Sequence, residues 1–179
     1  MESAFNSRKV KNGFTLIELL IVLGIMAIVA IIAIPSFLGQ REKSQIAAVK
    51  SSAKAAVGEI EALLDSYMGG APFLLLDETG AEICVQIQGG NIYTTCQTMY
   101  NVSTNINEYN DMADVIDYLI KHYEGQRYKS PYNTSSYLFV KTPAVGSIVL
   151  SLAGSKTVSI TAYARDLSQP VFEASITAR

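Results

Sequence analysis

The chain reads as an α+β protein in which one very long N-terminal helix, transmembrane and then amphipathic, packs on a small antiparallel sheet. Three observations predict this. Residues 14–34 are apolar apart from Thr15 and one acid, Glu18, and contain no basic residue. After Pro35 the pattern becomes amphipathic. Ile46, Val49, Ala53, Val57, Ile60, Leu64 and Tyr67 recur every three or four positions, with Arg41, Lys43, Lys50, Lys54 and Glu61 elsewhere on the helix. Beyond Gly69-Gly70-Ala71-Pro72, which should end the helix, short β-rich runs separated by turn residues dominate.

The first element, over residues 14–68, would be about 80 Å long at 1.5 Å per residue. Its apolar part exceeds the roughly 20 residues needed to cross a bilayer. A carboxylate in hydrocarbon costs on the order of 2.5–3.5 kcal/mol on the gentlest scale, so Glu18 is expected to be functional. Arg8, Lys9 and Lys11 stand directly before the run and hold that end in the cytoplasm by the positive-inside rule. Pro35 has no N–H and should kink or loosen the helix. Gly24, Ala27, Ala30, Ala33 and Gly39 are small, which favours close helix contact.

A short apolar run at 73–76 precedes a hairpin predicted over 81–88 and 92–98, turning at Gly89-Gly90-Asn91. In that hairpin Cys84 and Cys96 oppose each other on one face, where a cross-strand disulfide fits. Two cysteines in a domain outside the cytoplasm point the same way, the alternative being two buried free thiols. Residues 107–123 carry Tyr109, Met112, Val115, Ile116, Leu119, Ile120 and Tyr123 at helical spacing, with Gly125 just past the end. The acids Glu108, Asp111, Asp114 and Asp117 read as a solvated face favourably placed toward the helix N-terminus rather than as a cation site. Strands follow at 137–141, 147–153, 157–165 and, after Pro170, 171–177, with Gly154-Ser155 as a hairpin turn. A four-stranded antiparallel meander is the expected arrangement.

Composition narrows the function classes. The 179 residues hold 14 Lys and Arg against 16 Asp and Glu, so no overall basic surface argues for nucleic acid. The chain has no phosphate-cradling glycine loop and no zinc-ligand spacing. Its one histidine, His122, has no paired nucleophile and is expected at the surface near a helix end. No catalytic residue, metal or cofactor is expected, and the chain does not read as an enzyme.

The stretch Lys11-Asn12-Gly13-Phe14-Thr15-Leu16-Ile17-Glu18 resembles the processing site of type IV prepilins and the related pseudopilins. The resemblance runs from about Arg8 to Pro35, and the amphipathic continuation to about Met68 fits it. The resemblance implies a leader at 1–13, an assembly and transmembrane half-helix at 14–35, an amphipathic half at 36–70 and a globular head at 71–179. It also implies that a prepilin peptidase cuts between Gly13 and Phe14 and that the new amine of Phe14 is then methylated. Glycine suits such a cut, because without a side chain the backbone can approach a narrow cleft. Glu18 would then pair with the Phe14 amine of a neighbouring subunit, which sets register as the subunit enters a homo-oligomeric helical filament. The implied partners are the peptidase, the pilus assembly machinery and, before assembly, the inner membrane; the implied destination is the cell surface. Two departures stand out. The middle of the apolar segment holds Ala27 where a glycine is common, and the cysteine pair lies early instead of bracketing the C-terminal region.

Other readings account for less. A cleaved signal peptide would carry a shorter, uncharged apolar region of about 7–15 residues. A simple signal anchor for an extracellular binding domain explains the length and basic flank, but not Gly13, Phe14 and Glu18 together. A pseudopilin of a secretion or competence system shares the processing site. Its usual C-terminal calcium loop is weakly matched here, since after Lys156 the only acids are Asp166 and Glu173.

Overall fold

The first helix, α1 (Leu16–Met68), is continuous through Pro35. Residues 14–89 and 95–178 of the computed structural model are described here. The leader with Arg8, Lys9, Lys11 and Gly13 lies outside them, as does the expected hairpin turn at Gly90-Asn91. The chain divides into two compact units between Glu42 and Lys43.

In the first unit nearly every described side chain is exposed, large apolar ones from Phe14 to Leu38 included. A helix surface apolar on all sides suits lipid or other helices. The apolar window is long enough to cross a membrane and none of it is buried.

In the second unit the apolar positions of α1 condense into a single buried stripe, Val49, Ala53, Ala56, Ile60 and Leu64. Their four- and three-residue spacing keeps them on one face, and burial against the head stabilises the helix there. The helix ends where Gly70 takes φ +63 and the Ala71 N–H donates to Ser66 O at 2.9 Å.

Two sheets follow, both mixed. The first has strand order β1-β2-β3, formed by β1 (Phe73–Leu76), β2 (Glu82–Ile87) and β3 (Ile106–Tyr109). β1 pairs antiparallel with β2, whereas β2 and β3 run parallel with Cys84 opposite Ile106. Between them lies α2 (Cys96–Tyr100), so the expected second hairpin arm is not a strand over 95–98. Local hydrogen bonding explains the difference. Thr95 Oγ1 accepts from Thr98 N while the Thr98 side chain takes up the Thr95 N–H, a reciprocal cap that starts a helix. Cys84 and Cys96 are nevertheless disulfide-bonded, with Cα atoms 6.0 Å apart, joining a central strand to the first turn of α2 instead of two opposed strands.

Helix α3 (Met112–Gly125) starts five residues later than its apolar spacing suggests, because residues from Ile106 to Tyr109 are claimed by β3. Asp111 is its cap, accepting from Ala113 N at 2.8 Å and Asp114 N at 3.1 Å. Asp114 accepts from Asn110 N, and Asp117 pairs with Lys141. The acidic side of this helix is therefore occupied by capping and pairing. Gly125 is the last helical residue, not a left-handed stop. A Cβ there would run into the Asp77 backbone, so glycine serves close approach of two chain segments.

The second sheet has order β4-β5-β6-β7: β4 (Phe139–Val140), β5 (Ile148–Gly154), β6 (Thr157–Ala162) and β7 (Phe172–Thr177). The last three form the expected antiparallel ribbon, but β4 is short and runs parallel to β5. Gly146, at φ +69 and too crowded for a Cβ, helps return the chain from β4 to β5. The β5–β6 turn is Ser155-Lys156, one residue later than expected. Both sheets and α3 contribute to one core with the α1 stripe, including Val85, Tyr109, Leu119, Phe139, Ile148 and Ile160. Tyr123 stacks on Phe139 with ring centroids 3.7 Å apart.

Replacing both Cys84 and Cys96 by Ala should lower the stability of this unit by about 2–4 kcal/mol, because an open loop between the two positions has more unfolded-state freedom. Denaturant unfolding of the double variant checks this; a loss below about 0.5 kcal/mol would contradict the bridge's role.

Candidate functional site

The start of α1 carries the residues singled out in the sequence. Phe14 is 84% exposed. Thr15 precedes the first helical residue and caps it: its Oγ1 accepts from Glu18 N at 3.3 Å, and its carbonyl accepts from Leu19 N at 3.3 Å. Glu18 is the acid of the first turn, where the partial positive charge of the helix terminus favours a carboxylate. Thr15-Leu16-Ile17-Glu18 is thus a Thr-x-x-Glu capping pattern, of which one of the two reciprocal bonds forms. The capping role of Thr15 was missed in the sequence, although this spacing before an apolar run is its usual signal.

Among the described residues no ion pair involves Glu18. The next basic residue along the helix is Arg41, about 35 Å away at 1.5 Å per residue.

Residues 8–34 match the family model described as the prokaryotic N-terminal methylation motif. This is the leader signature of type IV pilins and pseudopilins, families of structural subunits, and it implies prepilin peptidase processing and a pilus-assembly context. No curated protein and no solved structure matches the chain. The long helix with small mixed sheets is an α+β arrangement consistent with a pilin-like fold.

A second convergence of polar side chains lies in the head. His122 is buried, not a surface residue at a helix end. Its Nδ1 accepts the Leu76 N–H at 2.8 Å, which makes Nε2 the protonated nitrogen of the neutral ring. Nε2 then donates to Glu59 Oε1 at 3.0 Å, and the Tyr123 hydroxyl donates to Glu59 Oε2 at 2.9 Å. Both ring nitrogens are engaged, and Gln126 Nε2 also lies 2.7 Å from Nε2. Glu59, Leu76, His122 and Tyr123 together join α1, β1 and α3.

Hydrogen bonding from His122 holds the Glu59 carboxyl below the usual carboxylate range, opposed by partial burial and supported by Tyr123. Burial, with the Glu59 charge beside it, pushes the Tyr123 hydroxyl up. A depressed carboxyl stabilises the fold above its unfolded-state pKa of about 4.3, and that contribution is lost as pH falls through the folded value. The unfolding midpoint should therefore drop below about pH 4.5, and Glu59→Gln should be less stable at pH 7 while losing less on acidification. Thermal melts of both chains across pH 3–7 check this; parallel pH profiles would contradict it.

Proposed function

We propose that the chain is a type IV pilin: a subunit made as a membrane-anchored precursor that polymerises through α1 into a surface filament. One observation carries this reading, the exposed apolar half of α1 with Glu18, which forms no ion pair among the described residues, in its first turn at the heart of the methylation motif. In this reading the leader is cut after Gly13, and Phe14 becomes the methylated N-terminus. The positive Phe14 amine of one subunit then meets Glu18 of the next. Either charge alone in a low-dielectric filament core costs several kcal/mol, while the pair offsets that cost and fixes register. Pro35 leaves Ile31 O without its helical donor and is the proposed point where the helix loosens on assembly. The protein's role is structural rather than catalytic, with further copies of itself as the main partner.

A pseudopilin shares the motif, but the carboxylates of the tail support the pilus reading. Asp166 is occupied in its own turn, accepting from Ser168 N at 2.8 Å and from Ser168 Oγ, while Glu173 lies apart on β7.

Mass spectrometry of filament material should find a chain beginning at N-methylated Phe14; a chain beginning at Met1 or after Ala30 would end the processing claim. Glu18→Gln keeps shape and removes charge. It should leave the cut intact and reduce surface filaments by about tenfold or more at normal subunit level. Wild-type filament numbers on electron microscopy would refute the pairing.

A further inference from the structure

The solvent side of α1 in the head unit has an order of charge that makes no ion pair among the described residues. Lys50 and Lys54 are exposed, as are Glu61 and Asp65 two to three turns further on. Each like-charged couple is spaced i, i+4, which is unfavourable within a lone helix. None of the four takes part in an ion pair among the described residues. The segregation is wider than this helix: from Ala55 to Ile120 the chain carries ten acids and not one Lys or Arg. A solvated face gains nothing from such an order, whereas a complementary partner does.

The same offset of eleven residues separates Lys50 from Glu61 and Lys54 from Asp65. Eleven residues are close to three helical turns, about 16 Å of rise, and return to nearly the same face. We infer that this face of α1 docks on a second copy of this chain, parallel and displaced by eleven residues, with Lys50 against Glu61 and Lys54 against Asp65. A parallel arrangement follows from the apolar first half of the same helix, since two copies inserted in one membrane from the same side point the same way. Beside the charged row the exposed positions are small: Ala47, Ser51, Ala55, Gly58 and Ala62. They let two helices approach closely enough for the long side chains to meet. One like pair, Lys43 against Lys54, arises at this offset; two opposite pairs outweigh it. This contact rests on the filament reading and adds what sets the axial step between heads.

Zero-length carbodiimide coupling of intact wild-type filaments, followed by peptide mapping, tests the contact without altering the chain. Lys50–Glu61 and Lys54–Asp65 isopeptides are expected, and neither can form within one α1, where the partners are about 16 Å apart. Antiparallel products, Lys50–Asp65 and Lys54–Glu61, would overturn the stagger. Coupling of these lysines only to a different protein would overturn the choice of partner. In cells, Glu61→Lys with Asp65→Lys should cut filament yield at least tenfold, and adding Lys50→Glu with Lys54→Glu should restore it to within twofold. Filaments unaffected by the acidic-pair reversal would overturn this contact and leave the pilin reading standing. A wild-type chain that forms no filaments would overturn both.

Discussion

The stripe Val49, Ala53, Ala56, Ile60 and Leu64 is the surface on which the head is built. Strands as short as four residues, such as β1 and β3, cannot bury enough area alone to hold together. Laid against this helical face, they share one core with α3 and with the second sheet. Buried apolar area contributes roughly 25 cal/mol per Å², so this common core outweighs the weak local preferences of its parts. Small Ala53 and Ala56 let neighbouring elements approach the helix, while Ile60 and Leu64 supply the volume.

Two polar devices then fix which segment meets which. The Glu59–His122–Leu76 chain ties α1, α3 and β1 together at the edge of the core, with His122 buried and Glu59 half-buried. The Cys84–Cys96 bridge holds α2 on the sheet, helped by Gln86 Oε1, which accepts from Cys96 N at 3.0 Å.

The two parts of α1 solve different physical problems with the same backbone. Toward its start the side chains are apolar on all sides, and the single carboxylate sits where a helix terminus tolerates it but finds no counter-charge in the chain's described residues. Past Lys43 the helix has a dry face and a wet face, and the wet face carries basic residues before acidic ones. Among the described residues, neither Glu18 in the first part nor the segregated charges Lys50, Lys54, Glu61 and Asp65 in the second form an ion pair.

The sequence by itself determined the long helix, its apolar and amphipathic parts, the processing motif and the bonded cysteine pair. These depend on periodicity, local chemistry and a contiguous run of residues, all of which survive without knowledge of neighbours. The tertiary structure alone decided how the strands pair. Parallel contact between β2 and β3, and between β4 and β5, joins segments by long-range packing that no local signal encodes. Tertiary packing also took residues from Ile106 to Tyr109 into a strand although their apolar spacing continued into a helix, since a free sheet edge competes for the same backbone. It carried His122 from an assumed surface position to a buried one. The partners that hold it, Glu59 and Leu76, are 63 and 46 residues away, and only the fold brings such separated groups within hydrogen-bonding distance.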